Sequence, residues 1–119
     1  MLSENINLLT CSMNAIIRKI AAKNNLSISQ YFTLHSISTN GISMTELSKL
    51  LGIDNSTLTR NINILTRMLL VSKLTSEEDK RSYNIFLTES GYSTLNIIEK
   101  EMNIFIQLIL DNLKDDENE

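Results

Sequence analysis

Between positions 56 and 67 the chain carries Ser56, Thr57, Thr59, Arg60, Asn63 and Arg67. On a helix of 3.6 residues per turn these fall opposite a stripe of Leu58, Ile62, Leu65 and Leu69. Hydroxyl, amide and guanidinium groups on one helix face can bind phosphates and read base edges. A second concentration of chemistry follows in "SEEDKR", residues 76–81, where Glu77, Glu78, Asp79, Lys80 and Arg81 put five charges into six positions. An arginine at the tip of such a turn suits a narrow, electronegative minor groove. Ser43, Lys73 and Lys80 complete the candidate contact set, Lys73 as a phosphate ligand. An ordinary solvated helix also displays hydroxyls and amides, so the helix face alone does not decide the matter.

Other chemistry is sparse. Catalysis has no visible apparatus, because no glycine-rich phosphate loop and no nucleophile–base–acid set occurs. One cysteine, Cys11, and one histidine, His35, cannot assemble a structural zinc site or an internal disulfide. No metal or cofactor is expected. Cys11 lacks a neighbouring base or second thiol that would mark a redox sensor, and His35 reads as a packed or half-exposed residue.

The elements that must position the polar face can be read from periodicity and punctuation. Over Asn5 to Lys23, Ile6, Leu9, Met13, Ile16 and Ile20 recur at 3,4,3,4 spacing and form a narrow helical seam. Ser27 or Ser29 can cap a short helix bearing Tyr31, Phe32, Leu34 and Ile37, which ends before Gly41. Ser43 and Glu46 form a capping-box pattern for a third helix with Leu47, Leu50 and Leu51 inward and Gly52 at its end. Asp54 then caps the helix of the polar face, expected from Asn55 to about Leu70, and the tight glycine-containing turn makes the pair a helix-turn-helix. "VSKLT" and "SYNIFLT" read as two strands, which places Glu77 to Arg81 at a hairpin tip. Thr88 caps a last helix, where Ile98, Met102, Phe105 and Ile109 repeat the seam spacing and further apolar residues occupy other faces.

The expected fold is therefore mainly α with a small β-hairpin: a winged helix-turn-helix lobe, residues 26–91, flanked by dimerisation helices at 1–25 and 92–114. Residues 115–119 form an acidic tail, and the whole chain of 119 residues is one domain. Ile6, Leu9, Met13, Ile16, Ile20, Ile98, Met102, Phe105 and Ile109 are the expected dimer contacts. Net charge is -3, yet residues 111–119 hold five acids against Lys114, so the remaining chain is slightly basic. No apolar run of 18 residues occurs, and Glu4 and Asn5 stand where a signal peptide would be basic. These features lead to the expectation of a cytoplasmic protein with no membrane partner.

"STLTR", Leu65, Val71, "EEDKRS" and "LTESG", in that order and with Gln30–Tyr31 upstream, resemble the winged helix-turn-helix of MarR-type transcriptional regulators. The resemblance spans roughly residues 26–91. It implies a homodimer that binds pseudo-palindromic double-stranded DNA, with the Arg81 position in the minor groove and the Asp79 position holding the wing. Ser56, Thr57, Thr59, Arg60 and Asn63 match positions on that family's recognition helix. A sequence-specific regulator acting as a repressor is the leading expectation, and a winged-helix adaptor that binds proteins instead of DNA is the alternative. Two departures stand out. Leu69 occupies a position where the family commonly has a helix-ending glycine, so a different helix end is expected. One long helix after Gly91 replaces the usual two, and no aromatic-acid effector is expected.

Overall fold

The computed structural model describes residues 2–75 and 83–117, with side chains to residue 112. Five helices and three short strands follow in the order α1 (Leu2–Lys23), α2 (Ile28–His35), β1 (Ile42–Ser43), α3 (Met44–Leu51), α4 (Asn55–Arg67), β2 (Val71–Thr75), β3 (Tyr83–Leu87) and α5 (Glu89–Glu117). Each short helix starts on a side-chain cap. Ser27 and Gln30 exchange bonds in a complete capping box at α2. Ser43 Oγ accepts from the Glu46 N–H at α3, and Asp54 Oδ1 accepts from the Thr57 N–H at α4. Only this half of the pattern expected at Ser43 forms.

That strand, β1, is absent from the sequence-based expectation. Its two residues pair antiparallel with β3, giving a three-stranded sheet of order β1-β3-β2 in which Val71 faces Leu87 and Lys73 faces Ile85. Two residues carry too little periodicity to be seen in sequence.

The helix-turn-helix forms as expected, with Gly52 at φ +66° closing α3. Helix α4 ends at Arg67, earlier than the expected Leu70, and it ends in a way that corrects the expectation for Leu69. Leu69 takes φ +64° without being glycine. Around it the Leu70 N–H donates to the Leu65 carbonyl and the Leu69 N–H to the Thr66 carbonyl, the paired bonds of a Schellman ending. Those bonds, with Leu70 and Val71 buried just beyond, offset a left-handed penalty of about 1 kcal/mol. Leu69 is consequently exposed, outside the apolar stripe to which periodicity assigns it, and Leu50 also points outward rather than inward.

Leu34, Leu47, Leu58, Ile62, Leu65 and Ile85 are fully buried and unite α2, α3, α4 and the sheet into one core. Ile20 from α1 and Ile98 from α5 belong to the same core. Being 1% and 0% exposed, they cannot be dimer contacts, which corrects that part of the seam. The seam's straight heptad spacing conceals the point at which each helix leaves the lobe. Tyr31 joins α2 to α5 through an Oη to Met102 Sδ contact of 3.7 Å, and burial, reinforced by the nearby Glu99 charge, raises its phenol pKa.

Beyond the lobe α1 and α5 run on with Leu9, Met13, Phe105 and Ile109 exposed. They flank an entirely apolar groove of about 230 Å³. No helix among the described residues is long and apolar enough to cross a membrane.

Candidate nucleic-acid interface

Asp54 fixes where α4 begins. Its carboxyl is held below its usual pKa chiefly by the hydrogen bond from the Thr57 side chain, with bonds from backbone N–H groups and the Arg60 charge adding to the effect. From that start, one face of α4 buries Leu58, Ile62 and Leu65 while Ser56, Thr59, Arg60, Asn63 and Arg67 stand exposed and Thr57 half-buried beside the cap. The candidate residues on α4 are therefore brought together on one solvent-facing surface. Arg67 lies back along the helix, its Nε 3.4 Å from the Asn63 carbonyl oxygen.

Lys73 joins this surface from β2. Alternation along the strand puts it on the same side of the sheet as buried Val71, and that side faces α4. Its Nζ donates to Asn63 Oδ1 at 3.0 Å and lies 5.2 Å from the centroid of the Tyr83 ring. Ser43 is placed elsewhere in the fold, as the cap of α3. Asp79, Lys80 and Arg81 lie outside the described residues. Among the candidates for other chemistry, Cys11 is exposed on α1, and His35 is half-exposed with Nε2 3.8 Å from Glu99.

Sequence reasoning missed Asn61. It is 6% exposed and donates to Ser29 Oγ at 2.9 Å and Thr33 Oγ1 at 3.4 Å, which ties the inner side of α4 to α2. A signal for it existed, because Asn61 is three residues after Leu58 and four before Leu65 and so belongs to the buried side of the helical wheel. A polar residue buried there needs partners, and α2 supplies them.

The fold has known counterparts. MepR, a transcription regulator of the Staphylococcus aureus multidrug efflux pump MepA, superposes with a TM-score of 0.87 over 99% of this chain and 88% of its own, at 19% identity. A mutant MarR of Escherichia coli complexed with operator DNA superposes at 0.72 over 83% of this chain and 71% of its own, at 24% identity. In sequence, the HTH-type transcriptional regulator PecS of Dickeya dadantii (strain 3937) is 31% identical over 87 residues, 70% of this chain and 52% of PecS. The chain thus spans about half the length of that curated relative. A family model, "Transcriptional regulator SarA/Rot", matches residues 15–98. With the MarR-type winged-helix fold on which these residues are arranged, that match makes the chain a member of the SarA/Rot family of transcriptional regulators.

Proposed function

We propose that the protein is a cytoplasmic, non-enzymatic regulator that binds a pseudo-palindromic double-stranded DNA operator as a homodimer and represses transcription by occupying it. The observation that carries this reading is the exposed face of α4, on which Ser56, Thr59, Arg60, Asn63 and Arg67 stand together with Lys73 beside them. A helix of 13 residues with its opposite side anchored in the core is a rigid element of the kind that enters a major groove. By the family resemblance, Lys80 and Arg81 would serve as contacts to the neighbouring backbone and minor groove, with Asp79 as the residue that holds the wing. The similar fold of a mutant MarR complexed with operator DNA supports DNA as the partner.

Residues 53–88 contain Arg60, Arg67, Lys73, Lys80 and Arg81 against Asp54, Glu77, Glu78 and Asp79. So balanced a lobe neutralises few phosphates and binds non-specific duplex weakly. Specific binding must then come from base contacts. The exposed apolar residues of α1 and α5 and the groove between them support pairing of two copies by those helices, including Ile6, Leu9, Met13, Ile16, Met102, Phe105 and Ile109 from the seam. Two α4 helices would then meet successive major grooves about 34 Å apart. Recovery of bound fragments from random duplex DNA at low salt tests the reading: a two-fold-related consensus is expected, and random sequence in the bound fraction would refute it.

A further inference from the structure

We propose, on the reading of α4 as the helix that enters the major groove, that Lys73 sets the base preference of that helix by fixing the amide of Asn63. An ammonium group donates hydrogen bonds and accepts none. The 3.0 Å contact from Lys73 Nζ therefore holds the Asn63 carbonyl oxygen toward β2 and leaves its NH2 facing solvent. Lys73 is itself restrained, since its strand position puts it above the Tyr83 ring, diagonally across the sheet. The helix beneath is fixed as well, through the Asn61 bonds to Ser29 and Thr33 on its buried side.

This restraint changes what Asn63 can read. A free asparagine amide pairs with adenine by accepting from N6 and donating to N7. With Oδ1 turned toward β2 by Lys73, Asn63 presents its NH2 rather than its oxygen to the groove, and the base edge that matches such a donor face is guanine, whose O6 and N7 both accept. Lys73 is then a positioning residue for specificity as well as a positive charge near the DNA backbone.

The test uses the full chain with Asn63→Ala, Lys73→Met and Lys73→Arg, each put through selection of bound fragments from random duplexes at one salt concentration. Asn63→Ala should erase the preference at one base pair in each half-site, and the parent should have guanine there. Lys73→Met frees the asparagine oxygen, so competition between duplexes differing at that pair should move toward adenine by about tenfold, within the range for a bidentate contact. Lys73→Arg still only donates and should keep guanine. A general loss of folding or of charge would weaken all duplexes alike and would not exchange one base for another. The inference is overturned if the parent selects adenine at that pair, if Lys73→Met keeps guanine, or if Asn63→Ala leaves the consensus intact. A parent that selects no consensus refutes the regulator reading itself, whereas a consensus indifferent to Lys73 refutes this inference alone.

Discussion

Alanine in place of Gly91 should sharply destabilise the protein, although helix propensity favours the opposite outcome. Gly91 lies in the first turn of α5, where replacing glycine by alanine ordinarily gains roughly 0.5–1 kcal/mol. A Cβ at Gly91 would, however, lie 2.2 Å from the Leu70 carbonyl oxygen, where ordinary contact begins at 3.4 Å. Relief needs α5 to move away from the corner after α4. That movement strains the Thr88 N–H bond to the same oxygen, now 3.1 Å. Overpacking costs about 2 kcal/mol and the loosened hydrogen bond about 1 more, and the propensity gain brings the net cost to about 2 kcal/mol. Unfolding entropy of about 2.1 cal/mol/K per residue gives roughly 0.25 kcal/mol/K for this chain, so the expected fall in Tm is about 8 °C. Gly52 is the control. A Cβ there meets nothing within 4 Å, and only its left-handed φ of +66° penalises alanine. Gly52→Ala should therefore cost about 1 kcal/mol, or roughly 4 °C. Circular dichroism melts at one protomer concentration measure both, because association makes Tm concentration-dependent. A Gly91→Ala protein melting within about 4 °C of the parent, or no lower than Gly52→Ala, would refute the steric reasoning.

Arg81→Ala should weaken operator binding by roughly 1–3 kcal/mol in fluorescence anisotropy at matched salt if the wing reads the groove, and unchanged affinity would leave recognition to α4 alone. Leu9→Asp combined with Phe105→Asp places charge on exposed apolar positions of α1 and α5 and should yield monomers in sedimentation equilibrium with the helical signal retained; a persisting dimer would place the interface elsewhere. Asp54 has a folded pKa below its unfolded one, so its contribution to stability is full above the unfolded pKa and is lost as pH falls through the folded value. Asp54→Asn keeps a capping side chain without that titration, so the difference in urea midpoint between parent and variant should narrow on acidification below about pH 4, and a constant difference would contradict the linkage.

The helices were legible because their signals are local. Ser27, Ser43 and Asp54 each cap the helix that follows, and Gly52 ends α3, since caps depend on neighbours within four residues. The α4 face was legible for the same reason, its exposed side being marked by composition, although polar Asn61 on the buried side was not. What escaped was set by distant partners. Strand β1 exists because β3 offers an edge, and Leu69 turns left-handed because the chain must reach buried Leu70 and Val71. Periodicity placed Ile20 and Ile98 in a seam but could not tell which turns of that seam meet their own chain first. The Lys73–Asn63 bond joins residues ten positions apart across a helix end and a strand, and no spacing rule announces it.

Thr88 makes the end of α4 and the root of α5 a single mechanical joint. Its hydroxyl donates to the Leu69 carbonyl at 2.6 Å, its N–H donates to the Leu70 carbonyl, and its oxygen receives the Gly91 N–H at 3.0 Å. From this fulcrum α5 extends 29 residues, a lever of roughly 43 Å at 1.5 Å per residue. A tilt of about 5° at the joint displaces the far end by about 4 Å, close to the rise of one base pair. In the proposed dimer the gearing also runs backward: a shift of a few ångströms where the distal ends of two α5 helices meet reaches each α4 as a rotation of a few degrees. The angle at Thr88 would then set which operator spacing the two copies can span.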